Sequence, residues 1–547
     1  MLQDWESLNY ISKREANMHR MKIGEFLKLK DFSFLKNKYT SDSELRSWQN
    51  SLPHLQNALK GLEKYEIILE YPVFNSPMRI DAVIIGEKIV FIELKQWSEN
   101  NCRILKNRLI EVLGENRLNP ALQVEGYKKH FQLFSDLKKE IKTAVFLHNF
   151  KGEIPKFNSK IFYKGEYDKL NQFLKSNLGK PDNSFEFNIK PSKELIESIK
   201  NYQNLHNEFV LSPKQREIML SILDSKSRVI LVKGIPGSGK SLIALNLHFY
   251  FLKKGHSSLY LTKNATPKEV YSYIIGDKKD NLGFASLKGL NKSEFLIVDE
   301  AHRLPKNSLE NILEKKFGKV ILFFDEKQIV SCDDIGEEID KYIEETYEIN
   351  EQFRCDYSID YLRWIDSVLY EEEFSGEFKY KFEICENIDE FVDKCNRFDA
   401  RMVAGYCWDW ESKTNKKVYD IEIGKYRWQW NEFGENLFIW AVDERQQNKI
   451  GCIHTSQGME FDYAGVIVGE DLCIKDGKIC INPYARSRED FTIFKNGKLK
   501  CENIDKIIKN TYRVLLTRAK KGTFVYFVNE ELREFFKKRL NDSLSKH

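Results

Sequence analysis

The stretch Gly234-Ile-Pro-Gly-Ser-Gly-Lys240-Ser241 follows the apolar run Val229-Ile-Leu-Val232 and leads into a helical pattern from Leu242 to Leu247. No other feature constrains the fold as much. A glycine-rich loop between a buried strand and a helix lets successive backbone N–H groups, and the helix N-terminus itself, point at phosphate oxygens. Gly234, Gly237 and Gly239 permit the curl around Ser238, Lys240 reaches the outer phosphates, and Ser241 can hold Mg²⁺. The chain is therefore expected to bind ATP with Mg²⁺.

Such a site needs a carboxylate pair on a second strand, and the apolar run Phe295-Leu-Ile-Val ends in Asp299-Glu300. A buried strand delivers both acids at its C-terminal edge, where Asp299 can hold the Mg²⁺ shell and Glu300 can polarise the attacking water. Further groups arrive in an order that makes sense as one ATP site. Gln215, upstream of the loop, has the amide donor and acceptor needed to read adenine. Gln328 follows the strand Lys319-Val-Ile-Leu-Phe-Phe324, where it can sense the terminal phosphate. Phe353 offers a face for the base, and Arg354 a guanidinium for phosphate. The run Gly451 to Asp462 contains Glu460, an acid for the ribose, and Tyr512-Arg-Val-Leu-Leu-Thr-Arg518 ends on a second arginine.

At 547 residues the chain should form several domains. Its 86 basic and 82 acidic residues give a net charge of only +4, so affinity for nucleic acid has to come from a local groove. No apolar run approaches the roughly 20 residues needed to span a bilayer, and the expectation is a cytoplasmic protein with no membrane partner. Ten cysteines with no Cys-x-x-Cys pair read as reduced thiols and not as a metal site. Pattern changes divide the chain into an N-terminal helical segment (1–62), a second domain (63–180), a linker (181–208) and two α/β domains (209–365 and 366–547). In the last two, short apolar strands alternate with helices, which implies doubly wound parallel sheets.

Three short strands, Glu66 to Tyr71, Arg79 to Ile85 and Lys88 to Leu94, read as a meander. Asp81 opens the second, while Glu93 and Lys95 are two residues apart and share a face of the strand. Two acids can hold Mg²⁺, and a nearby lysine can orient or deprotonate water for attack on a phosphodiester.

These residues carry two resemblances. Asp81, Glu93 and Lys95 resemble the PD-(D/E)xK nuclease pattern, although Ile80 stands where a proline is usual; the likeness implies a restriction-endonuclease-like fold. It also implies Glu70 as an upstream metal-binding acid, and Gln123 with Tyr127 as residues brought to the site by a helix. From about 209 to 540 the chain resembles a superfamily 1 helicase motor with two RecA-like domains, and within that superfamily the bacterial relatives of the Schlafen helicase domain. Gln215, Gly234 to Ser241, Asp299, Glu300, Gln328, Arg354, Glu460 and Arg518 fall on its successive motifs; Phe353 replaces a common tyrosine. Only 24 residues separate Glu300 from Asp325, which leaves little room for the inserted subdomains of processive motors. Tyr260 to Asn264 matches the family's strand-contacting motif. Trp408, Trp410, Trp428, Trp430 and Trp440 read as core before they read as stacking platforms.

The combination implies an ATP-driven translocase joined to an Mg²⁺-dependent nuclease, resembling the compact nuclease–helicase fusions of bacterial antiphage defence. Nucleic acid is the implied partner, DNA ahead of RNA, and oligomerisation stays open. Two alternatives stand beside it: a repair enzyme that processes DNA ends, and an ATP-gated nucleic-acid-binding switch whose nuclease is silent.

Overall fold

The computed structural model describes residues 19–36, 42–73, 79–105, 109–155, 157–187, 211–263, 284–285, 287, 290, 292–430, 449–456 and 461–544. It forms two compact units, one of 1–194 with 208–225 and one of 195–207 with 226–547.

The first unit contains, in chain order, β1 (Arg20–Lys22), α1 (Asp42–Ala58), β2 (Glu66–Pro72), β3 (Arg79–Ile85), β4 (Ile89–Lys95), β5 (Cys102–Ile104), β6 (Leu109–Val112), β7 (Glu115–Leu118), α2 (Pro120–Phe134), β8 (Ile141–Leu147), β9 (Lys160–Tyr163), α3 (Tyr167–Leu178) and α4 (Pro213–Asp224). Six strands form a mixed sheet in the order β1-β2-β3-β4-β8-β9. Strands β1 to β4 are antiparallel; β4, β8 and β9 are parallel, and the connection from β4 to β8 carries α2. Strands covered on both faces need apolar residues on both. Ile84, Val90 and Ile92 accordingly pack with Leu55 of α1 and Leu174 of α3, whereas Val83, Ile85 and Phe91 pack with Val124 and Phe131 of α2. The helical reading of 1–62 differs from the structure at Arg20–Lys22. That segment is a strand paired with β2, and α1 lies on the same core.

The second unit holds two parallel sheets. The first comprises β10 (Val229–Gly234), β11 (Ser258–Thr262), β12 (Phe284–Ala285), β13 (Phe295–Asp299), β14 (Lys319–Phe324) and β15 (Glu345–Ile349), in the order β12-β11-β13-β14-β10-β15, with α5 (Lys240–Lys253) following β10. Next come α6 (Ile359–Tyr370), β16 (Lys381–Ile384), α7 (Ile388–Arg397), β17 (Arg401–Ala404), β18 (Ile421–Ile423), β19 (Tyr426–Trp430), β20 (Lys449–Ile450), β21 (Phe461–Val468), the hairpins β22 (Leu472–Lys475)–β23 (Lys478–Ile481) and β24 (Phe494–Lys495)–β25 (Lys498–Leu499), α8 (Ile504–Leu516), β26 (Ala519–Phe527) and α9 (Glu530–Leu544). The second sheet runs β16-β26-β21-β17. Among the described residues no helix is long and apolar enough to cross a membrane.

Candidate active sites

In the second unit, four loops leave the C-terminal ends of neighbouring parallel strands, where open α/β sheets place their ligands. After β10 the backbone turns through Gly237 at φ +76° and Gly239 at φ +82°. A Cβ on Gly237 would lie 2.2 Å from Gln352 Oε1 and 2.6 Å from Arg354 Cβ, so the loop closes on the exit from β15 only because this residue is glycine. Gln352 fastens the two: its Nε2 donates to the Pro236 carbonyl (2.9 Å), and its Oε1 accepts the Arg354 N–H (2.7 Å). The Phe353 N–H donates to the Gly237 carbonyl (2.8 Å). Phe353 and Arg354 are thereby placed at the loop. Lys240 is buried, its ammonium donating to the carbonyls of Gly234 and Ile235 at 2.8 and 2.9 Å.

Beyond β13 the two adjacent acids are held in opposite states. Asp299 accepts a hydrogen bond from the Tyr260 hydroxyl at 2.7 Å. Burial and then the neighbouring Glu300 charge push its carboxyl up to about 6, against the pull of Tyr260, Ser241 and Lys240. Glu300 adopts a left-handed backbone (φ 54°). Burial alone would raise it as well, but His302, Lys240 and Arg518 outweigh burial and hold it down to about 2. His302 is fully buried, with its Nε2 2.9 Å from Glu300 Oε2. Its Nδ1 accepts the Asp325 N–H at 3.3 Å, which turns Nε2 toward the carboxylate, although the 2.9 Å approach of Nε2 to Oε2 does not have hydrogen-bond geometry. Gln328 Nε2 donates to Asp325 Oδ2 (2.7 Å), and the Arg518 guanidinium reaches Gln328 Oε1 at 3.4 Å. A continuous polar chain therefore runs from Arg518, ahead of β26, through Gln328, Asp325 and His302 to Glu300. Ser241 and Asp299, near enough for the hydroxyl to lower the carboxyl, are oxygen donors of the kind a hard cation takes, so Mg²⁺ fits there.

In the first unit, strand register gathers the acids. The β2–β3 ladder pairs Leu69 with Ala82 and Tyr71 with Ile80, which sets Glu70 opposite Asp81; the β3–β4 ladder ends at Ala82 and Ile92, one step before Asp81 and Glu93. Three carboxylates thus lie in a row across three strands, and the ladders open where they meet, as like charges directly opposite one another require. At Glu70 the φ is 48° and the side-chain alternation breaks, since Ile68 and Tyr71 both pack on the α2 face. Glu70 Oε1 accepts the Trp48 indole N–H at 2.7 Å. Burial, then the Asp81 charge, push Glu70 up to about 8, and burial with Asp81 does the same to Glu93. Asp81 is raised too, chiefly by burial, while its Oδ2 accepts the Leu94 N–H at 2.6 Å. Lys95 Nζ lies 2.7 Å from Glu93 Oε1, but Glu93 Oε2 is buried with no hydrogen-bond partner. An unmet buried carboxylate oxygen costs roughly 1–3 kcal/mol. A divalent cation between Asp81 and Glu93 would meet it, so the residues fit one. They do not form a finished cage: no three of the described His, Cys, Asp and Glu residues are gathered as a metal-ligating group. From α2, Gln123 Nε2 donates to the Tyr127 hydroxyl at 2.7 Å, and Tyr127 titrates well above its ordinary range through burial and the Glu93, Asp81 and Glu70 charges.

Glu460 lies outside the described residues, as do Asn264 and Trp440. Gln215 belongs to the first unit, where its Oε1 accepts the Ser212 N–H (2.9 Å) and closes a capping box at the start of α4. Trp428 and Trp430 are core residues, and Trp408 and Trp410 pack against that core. The reduced state expected of all the cysteines is corrected: Cys332 and Cys501 form a disulfide, with Cα atoms 5.8 Å apart. The chain folds the segment after β14 onto the one before α8, and the Cys332 N–H donates to the Thr492 carbonyl. A separation of 169 residues hid this pairing. Three site residues had no assigned role in the sequence reading: Trp48, His302 and Gln352. For His302 a signal existed, its position two residues past Glu300 on one tight turn; Trp48 had none, because its partner is 22 residues away in a different element.

Residues 227–529 match the family described as Schlafen group 3, DNA/RNA helicase domain, and residues 49–148 match the nuclease-related domain, NERD. The chain is similar to the uncharacterized protein YPL245W of Saccharomyces cerevisiae, 25% identical over 385 residues that cover 56% of this chain and 83% of that one. Among solved structures it is similar to the PRRSV helicase (14% identity, TM-score 0.30), over 59% of this chain and 58% of that one. It is also similar to the Pif1 helicase from Candida albicans (12% identity, TM-score 0.28), over 61% of this chain and 99% of that one. The chain thus spans under two thirds of the PRRSV helicase chain.

Proposed function

The chain belongs to the Schlafen group 3 DNA/RNA helicase family and carries a nuclease-related domain ahead of its helicase domain, and from that premise we propose an ATP-driven motor on nucleic acid joined to a divalent-cation-dependent nuclease. The observation that carries the motor half is the chain Arg518–Gln328–Asp325–His302–Glu300 beside Lys240, which keeps Glu300 ionised while two arginines stand ready for phosphate. In this reading the sheets of the second unit are two RecA-like domains. Lys240 and the loop N–H groups bind the β- and γ-phosphates. Glu300 accepts a proton from the attacking water, and Arg354 and Arg518 offset the charge that develops on the transferred phosphoryl group. Mg²⁺, held by Ser241 and Asp299, supplies further charge neutralisation there. Movement between the domains that bear Gln328 and Arg518 couples turnover to stepping along a strand.

In the first unit, Asp81 and Glu93 hold the cation, with Glu70 behind them, and Lys95 orients the water that attacks the phosphodiester. The cation supplies Lewis-acid polarisation of the phosphate. The wider role we infer is cytoplasmic antiphage defence, acting on DNA ahead of RNA.

The deciding experiment incubates purified protein with labelled single- and double-stranded DNA and RNA, with and without Mg²⁺ and ATP. Strand-stimulated ATP hydrolysis together with Mg²⁺-dependent cleavage is expected. ATP hydrolysis indifferent to every strand would sink the motor, and stimulated hydrolysis without cleavage would leave the ATP-gated switch.

A further inference from the structure

Between β21 and α8 the second unit carries a segment that none of the nucleotide motifs uses. Its backbone is held by buried bonds. Arg486 is fully buried and bonds Asp471 (2.7 Å), Asp490 (3.0 Å) and Thr511 (3.2 Å), while Asp490 in turn accepts the Thr492 N–H at 2.9 Å. The Ser487 N–H donates to the Tyr406 carbonyl at 2.8 Å. This anchored segment nevertheless presents two large rings to solvent: Tyr484 is 59% and Phe491 63% exposed. A single exposed ring is ordinary, but two on one anchored loop, with Arg488 between them in the sequence, are not explained by leftover apolar surface. Arg488 lies 4.6 Å from the Tyr484 ring centroid and 5.1 Å from that of Phe494, and no carboxylate among the described residues pairs with it. Lys475, Lys495 and Lys498 are also exposed in this segment, as is Lys478, which pairs with Glu371 at 2.8 Å; Asp476 and Glu489 are its exposed acids between 475 and 498.

Exposed aromatic faces amid a local excess of positive charge fit one class of partner, a phosphate-linked chain of unpaired bases. We propose that Tyr484, Arg488 and Phe491 form a stacking platform for single-stranded nucleic acid, with the bases lying on the two rings and the phosphates meeting Arg488, Lys495 and Lys498. This deepens the motor reading and rests on it. Phe491 also stacks near His454 (centroids 6.0 Å apart, planes at 20°), and His454 Nδ1 lies 3.2 Å from the guanidinium of Arg303, the residue after His302. A base on Phe491 would thus sit two side chains from the turn that holds Glu300.

The test measures binding of fluorescein-labelled oligo-dT and oligo-rU by anisotropy, together with ATP hydrolysis with and without each oligomer. Phe491→Ala should weaken binding about 10-fold, which is about 1.4 kcal/mol, and blunt strand stimulation while leaving strand-free hydrolysis unchanged. In Phe491→Trp the new indole should keep affinity, and its fluorescence should fall when a base stacks on it. Binding of only one oligomer would identify the sugar. Wild-type affinity in Phe491→Ala, or unquenched indole fluorescence in Phe491→Trp under saturating oligomer, overturns the platform while the motor stands. If the wild-type protein binds neither oligomer, the motor reading falls and takes the platform with it.

Discussion

Glu93 and Glu300 are both buried carboxylates at the ends of strands, yet their surroundings drive them in opposite directions. Glu300 is met by His302, Lys240 and Arg518 and is held to about 2, so it is ionised at any physiological pH. Glu93 faces Asp81 and has Lys95 as its compensating cation, and it is pushed up to about 8. One site is charge-balanced by the protein itself; the other is balanced by protons until a cation replaces them. In the proposed reading Glu300 is therefore ionised at rest, whereas Glu93 gives up a proton when a cation binds.

The largest effects should separate the two sites outright. Lys240→Ala removes the ammonium from the phosphate loop and should cut ATP hydrolysis by roughly 100-fold or more; Glu300→Gln should abolish turnover while a fluorescent ATP analogue still binds. Neither change should affect cleavage of short single strands. Glu93→Ala should end cleavage and spare strand-stimulated ATP hydrolysis. Loss of both activities from either single lesion would mean that the two sites do not work independently.

A smaller effect follows from the difference in protonation. The folded value of Glu93, about 8, lies above its ordinary 4.5. Its contribution to stability is therefore complete below the ordinary value and is lost as pH rises toward 8. In EDTA the first unit should melt at lower temperature as pH is raised across that window, and Glu93→Gln should flatten the dependence. Because the cation has to displace the proton, Mg²⁺ or Mn²⁺ affinity measured by calorimetry should climb up to about 10-fold per pH unit below 8. A pH-independent affinity would place the cation away from Glu93.

Much of this contrast was legible in the chain, for physical reasons. The phosphate loop, Asp299-Glu300 and Gln328 sit at the ends of continuous apolar strands, and local sequence dictates both strand and loop. Glu93 and Lys95 share a face because strand period is two, and the hydrogen-bonded pair at 2.7 Å follows from it. What stayed hidden depends on contacts between distant segments. No local pattern aligns Glu70, Asp81 and Glu93 in one row, because the alignment is set by the registers of two ladders. Gln352 gains its role from the fold-back of β15 onto Gly237, and the Cys332–Cys501 pair joins segments 169 residues apart. Arg20–Lys22 is too short to read as a strand without the β2 edge it completes.

His302 offers a finer break of the comparison. If it keeps Glu300 ionised, His302→Ala should return the carboxyl toward its ordinary 4.5 or above, since burial would remain while the imidazole is gone. The acid limb of the kcat profile should move to higher pH, so that the loss is largest at the acid end of the profile and vanishes at pH 8. His302→Gln, which can still donate, should recover most of the rate. An equal loss at every pH would mean that His302 only props the turn.

The smallest expected effect tests the corresponding contact on the other side. Trp48 donates to Glu70 Oε1 at 2.7 Å, and that bond pulls Glu70 down against burial and the Asp81 charge. Trp48→Phe keeps a ring in the core and deletes the donor, at a cost of about 1 kcal/mol to the first unit. Glu70 then holds its proton to higher pH. If Glu70 has to ionise for the cation to bind, the cleavage profile should shift by a fraction of a pH unit toward alkali. The limiting rate at high pH should be kept, and ATP hydrolysis should not change. A profile that stays in place while the melting temperature falls would confine Glu70 to holding α1 on the sheet and leave Asp81, Glu93 and Lys95 as the whole of the cleavage chemistry.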